Sequence, residues 1–158
     1  MLSEEHQNLI LQAIQDAELQ TSGEIRVHVE SHCAGHPIDR AKELFFQLGM
    51  QKTDLQNGVL VYLAIKDRKF SIIGDKGIDA TVPAEFWETI RDEMHAYLAK
   101  NEFGAGLAHG VKRTGEVLAG FFPYQKEEKS CIRKVLGSRH ATPETAKAES
   151  VLTDAHIR

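Results

Sequence analysis

The first pattern along the chain is helical. Ile10, Ala13, Ile14 and Ala17 recur at i, i+3, i+4 and i+7 behind Ser3, a good capping residue, and "TSG" at 21–23 stops the run. "EIRVHVE" then alternates strictly, with Ile25, Val27 and Val29 on one face, so it predicts a strand with one buried side. Asp39 is expected to open a second helix, with Ala41, Leu44, Phe45 and Leu48 in register and Gly49 as its stop. "GVLVYLAI" at 58–65 is apolar at almost every position and rich in β-formers, which predicts a central strand covered on both faces. The break "KDRK" is too short for a helix, so "FSIIG" should return antiparallel as the second arm of a hairpin.

Two more helices follow. Pro83 suits the first turn of one, whose stripe reads Phe86, Ile90, Met94 and Leu98, with Trp87 and Tyr97 beside it. "NEFGAG" at 101–106 reads as a loop. The last helix places Leu107, Val111, Thr114, Leu118 and Phe121 on one face before Pro123, and its Gly110 and Gly115 imply close backbone packing. Residues 1–123 therefore form one α/β domain. Residues 124–158 carry crowded charge, few strong apolar positions and no lasting period, and are expected to be a mobile tail or an accessory helix, through which a protein partner could be engaged.

The two strands that flank the second helix should be parallel, because such crossovers are right-handed, and the third strand returns antiparallel. The sheet is then small and mixed. Three strand ends meet on one rim: Gly23 and Glu24, then Thr53, Asp54 and Asn57, then Gly74 and Asp75. Two carboxylates ~5 Å apart repel by about 3 kcal/mol at an effective dielectric of 20. A cluster of that kind needs a cation, a shared proton or separation, which makes the case for a hard divalent ion, Ca²⁺ or Mg²⁺, with its oxygen ligands. "GDKGID" is no Walker loop, since Lys76 precedes Gly77 and no hydroxyl follows. Ordinary turn chemistry, with Asp75 ahead of Gly77, stands beside metal ligation as a reading of the same residues.

The opposite rim carries His28, His32, Cys33 and His36, a soft donor set suited to Zn²⁺. It ranks behind the acidic rim, because a structural zinc needs four ligands and spacing this short rarely supplies them all. No Ser-His-Asp order or nucleophile elbow stands out.

Composition adds exclusions. The chain has 158 residues, 42% hydrophobic and 27% charged, with a net charge of -4, so no basic field draws it to nucleic acid or anionic lipid. No apolar run approaches the ~20 residues needed to cross a bilayer, and "MLSEEHQNLILQ" lacks a basic region followed by an apolar block. A cytoplasmic protein with Cys33 and Cys131 reduced is expected.

The segments "TSGEIRVHVE", "DRAKELFFQLGM", "KTDLQNGVLVYLAIKDRKFSIIGDKGI", "FWETI" and "GLAHGV...LAGFFP" occur in the order found in the TPM domain family, and the chain resembles its small soluble bacterial branch over residues 5–123. The resemblance implies a three-layer α/β/α sandwich around the mixed sheet. It also implies divalent metal binding, as in soluble bacterial relatives, or acid phosphatase activity, as proposed for members in the thylakoid lumen. Carried over by position, its acids and amide fall on Glu24, Asp54, Asn57 and Asp75, with Gly74 before the last. Many members read "GxGLE" after the third strand; this chain is one residue longer and has Asp79 in the glutamate's place. The leading expectation is a metal-binding or regulatory module, and the alternative is a metal-assisted phosphomonoesterase.

Overall fold

The computed structural model describes residues 2–124 and 151–156. Helix α1 (Glu4–Glu18) begins where Ser3 Oγ accepts the His6 N–H at 3.2 Å. Strand β1 (Glu24–Glu30) buries Ile25 and Val27. Helix α2 (Pro37–Gln47) starts two residues ahead of Asp39, since the fixed φ of Pro37 suits a first helical position. It closes at Gly49, whose φ of 71° is the left-handed turn expected there. A single 3₁₀ turn (Met50–Lys52) leads to β2 (Gly58–Ala64), and a tight hairpin joins β2 to β3 (Lys69–Gly74).

The sheet has the order β1-β2-β3-β4, with β1 and β2 parallel and the other neighbours antiparallel. All seven residues of β2 are buried. Val59, Val61 and Leu63 enter one core, beneath α1, α4 (Ala84–Leu98) and α5 (Phe103–Phe121). Leu60, Tyr62 and Ala64 enter a smaller core with Ala41, Leu44 and Phe45 of α2. Two cores on the two faces of one sheet make the α/β/α sandwich, as expected.

Several features differ from the pattern along the chain. Glycines 104 and 106 lie inside α5 and not in a loop, because a Cβ there would stand 2.7 Å from His6 and 2.9 Å from Leu98; helix packing demands them. Phe86 leaves the core stripe of α4, which runs through Trp87, Ile90, Met94 and Leu98. Phe121 is likewise half-exposed at the end of α5. Lastly, Val151–His156 forms β4, pairing with the open edge of β3, a contact between distant segments that leaves no local period to read. The remainder of the expected tail, 125–150 and 157–158, lies outside the described residues.

A short helix, α3 (Lys76–Thr81), occupies the stretch read as a turn. Gly74 leaves room for Ile78, whose Cγ2 would lie 2.8 Å from a Cβ at 74. Gly77 lets the first turn of α3 press on the loop before β2: its N–H donates to Gln56 O at 2.8 Å, and a Cβ would stand 2.3 Å from Leu55 O. Those carbonyls are backbone and cannot swing aside. Gly77→Ala is therefore expected to destabilise the fold by about 2 kcal/mol or more, as overpacking does. Gly35→Ala, with nothing within 4 Å of its added methyl, should change the urea midpoint little. Equal midpoints for the two variants would refute the close approach.

Candidate functional site: two rims of one sheet

The parallel pairing of β1 with β2 sets Glu24 opposite Gly58, and the hairpin sets Val59 opposite Gly74. The three strand ends thus meet on one rim, as the topology required. Backbone bonds tie them: Asp75 N donates to Gly58 O at 2.9 Å, and Glu24 N to Asn57 O at 3.3 Å.

The side chains are less gathered than the strand ends. Asp75 is 2% exposed. Its Oδ1 accepts the Lys76 N–H at 2.7 Å, while its Oδ2 is buried with no hydrogen-bond partner among the described residues. Burial pushes the Asp75 carboxyl above the usual carboxylate range; the Lys76 N–H and charge pull the other way, and Asp79 adds a small upward push. Asp54 and Asp79 are exposed. Glu24 turns to its own strand neighbour, accepting from Arg26 at 3.0 to 3.1 Å. Asn57 is buried and gives its amide N–H to Ser22 Oγ at 3.3 Å. Among the described residues no three His, Cys, Asp or Glu side chains converge into a metal cage. At this rim Asp75 Oδ2 is the buried oxygen without a partner among the described residues, and Asp54 and Asp79 are exposed at the same end of the sheet.

The opposite rim is closed by its own pairs. His28, stacked on the Tyr62 ring at 6.0 Å, lies 3.3 Å from Glu30. His32 bonds Asp67 at 3.0 Å, and Cys33 is a buried free thiol 3.5 Å from Gly35 O. No zinc set forms among the described residues. The residue that organises this rim escaped the sequence: Glu30 receives two bonds from Arg40, at 2.9 and 3.0 Å, and one from the buried Tyr62 hydroxyl. Burial opposes ionisation of Glu30 most strongly of any single influence. Arg40, Tyr62 and His28 together outweigh it and hold its pKa at about 2. Burial and Glu30 both raise the Tyr62 pKa, so its hydroxyl keeps its proton and donates. A visible signal was the alternation of β1, which puts His28 and Glu30 on the same face, over Tyr62 of the next strand.

Residues 1–117 match the TPM domain. The chain belongs to the TPM domain family. A solved relative, the BA42 protein from the psychrophilic bacterium Bizionia argentinensis, is 43% identical over 80% of this chain and 88% of that one, with a TM-score of 0.76. The N-terminal domain of a protein from P. gingivalis shares the fold at 20% identity, covering 77% of this chain and 78% of that one, with a TM-score of 0.61. No curated protein matches the chain.

Glu30 gives this TPM domain an acid-dependent stability. A carboxylate whose folded pKa lies below its unfolded value of 4.5 stabilises fully above that value, and the stabilisation fades as pH falls towards about 2. Glu30→Gln should cost roughly 2 to 3 kcal/mol at pH 7 and progressively less between pH 4.5 and pH 2, where the two urea midpoints converge. A deficit that does not change with pH would mean that lost packing, and not the charge, is responsible.

Proposed function

We propose that this TPM domain is a binding module that takes a hard divalent cation, Ca²⁺ or Mg²⁺, weakly at the rim around Asp75. The observation that supports it is the buried Asp75 Oδ2, a carboxylate oxygen without a donor among the described residues. Leaving such an acceptor unmatched costs about 1 to 3 kcal/mol, and more when it is charged. A cation offsets that cost and favours the ionised form against burial. Only one oxygen is preset, so Asp54, Asp79 and water must complete the shell, and ordering them keeps affinity low. Gly74 and Gly77 serve this reading by holding the strand exit and the 53–57 loop together, while Asn57 fixes the loop to Ser22. Glu24 takes part only by exchanging Arg26 for the ion.

No helix among the described residues is long and apolar enough to cross a membrane. Cytoplasmic placement, and a protein partner for residues 124–158, belong to the same proposal. The phosphatase reading rests on family resemblance, and no side-chain geometry in the described residues favours it over binding.

Adding Ca²⁺ or Mg²⁺ to ¹⁵N-labelled protein should shift amides near residues 24, 54 and 75. Asp75→Asn, which keeps an acceptor for the Lys76 N–H, should weaken binding about tenfold or more. Unchanged affinity in that variant, or shifts centred on His28 and Cys33, would remove the assignment. Turnover of p-nitrophenyl phosphate that disappears in Asp75→Ala would replace the module with an enzyme.

A further inference from the structure

We propose that the outer edge of β3 is an acceptor site for an extended, proline-free segment of a partner protein, and that β4 is a strap of this chain that occupies it. The two sides of the sheet differ in what they carry. β1, the other outer strand, sets a charged or ionisable residue at every second position: Glu24, Arg26, His28 and Glu30. Such residues blunt an edge against further pairing. β3 reads "KFSIIG", with no charge and no proline after Lys69, and Phe70, Ser71, Ile72 and Ile73 are fully buried. That is the composition of an inner strand, so its outer row of N–H and C=O groups needs a neighbour.

That neighbour is β4, and its attachment is unlike that of the other strands. The residues that match the family domain end at 117, so the cover comes from outside the matched stretch. No tight turn joins β4 to β3: the chain leaves β3 at Gly74 and returns at Val151, after α3, α4 and α5. The pairing is also less regular than that of β2 with β3, which runs unbroken from Val59 opposite Gly74 to Ala64 opposite Lys69. Against β4 the register shifts between Ile72 and Ile73, and Leu152 has no opposite residue. A strand held by an interrupted ladder and a long connection is the one that a competing strand replaces most readily.

The strap defines what the site takes. β4 runs antiparallel to β3, with Ala155 opposite Phe70, Asp154 opposite Ser71 and Thr153 opposite Ile72. Recognition is by main-chain bonds, so an extended segment with small or β-branched residues opposite the two large side chains fits, and proline does not. β4 also lies against α2 and α4, one from each layer, so the site is a slot between the layers. A slot favours a lone extended segment over the rigid sheet edge of a second copy. The ladder ends at Ile73, before Asp75, so the proposal stands apart from any bound metal.

The probe is a synthetic VLTDAH peptide, titrated into the ¹⁵N-labelled full chain and into a variant carrying Thr153→Pro with Asp154→Pro. Successive N–H groups of a strand point to opposite edges, so the two prolines remove a ladder donor whichever of them faces β3. In the variant, outward amides among residues 69–73 should exchange at least about tenfold faster. The peptide should restore their protection, and should bind the variant at least about tenfold more tightly than the unmodified chain, where the strap competes at an effective concentration of about a millimolar. The same peptide with prolines at its third and fourth positions should not bind. In the unmodified chain, peptide at roughly 5 mM should shift the amides of residues 151–156 as the strap leaves, a readout that does not depend on the variant. Unaltered exchange at 69–73, equal binding of both peptides, or unmoved amides at 151–156 under excess peptide would overturn the proposal. So would a dimer of the unmodified chain that the two prolines dissolve, since the occupant would then be a second copy.

Discussion

Strand β2 is buried along its whole length, and that constraint shapes the rest of the molecule. A strand apolar on both faces cannot be satisfied by one layer of helices. Val59, Val61 and Leu63 draw α1, α4 and α5 to one side, while Leu60 and Tyr62 draw α2 to the other. Each large aliphatic side chain removed from water contributes about 1.5 to 3 kcal/mol, so neither face can be left bare. The central position of β2 also decides what lies at its two ends. Its N-terminal end meets the start of β1 and the exit of β3, and its C-terminal end meets the Glu30 network.

Those ends differ in how completely their polar groups are matched. At the Glu30 end, a carboxylate in a half-buried setting is matched by a guanidinium, a phenol and an imidazole. Any ligand there would have to displace internal bonds first. At the Asp75 end one carboxylate oxygen is enclosed and unmatched among the described residues. The physical contrast is between a rim whose polar groups are saturated and one where a buried carboxylate oxygen is not. The "GDKGID" stretch combines both roles, because its glycines are required by backbone contact and its first acid is left incompletely satisfied.

The strand and helix periods, the parallel crossover, the hairpin and the convergence of three strand ends were all legible in the amino-acid order, and so was the TPM domain family. Each depends on residues close in sequence or on a handedness rule. Helix α3 was not legible, because a six-residue helix carries too few positions for a period and its glycines look like a turn. Glu30 was hidden for another reason: its partners Arg40 and Tyr62 come from α2 and β2, and only packing brings them to it.

The order of residues therefore determined which segments are apolar on which side, and hence the layers of the sandwich and the edge where its acids collect. Tertiary structure decided what each of those acids does. Glu24 turned to Arg26, Asp54 and Asp79 faced solvent, and Asp75 was enclosed. Hydrophobic pattern is a local property that burial must respect, whereas a charged side chain takes whichever distant donor the finished fold places within reach.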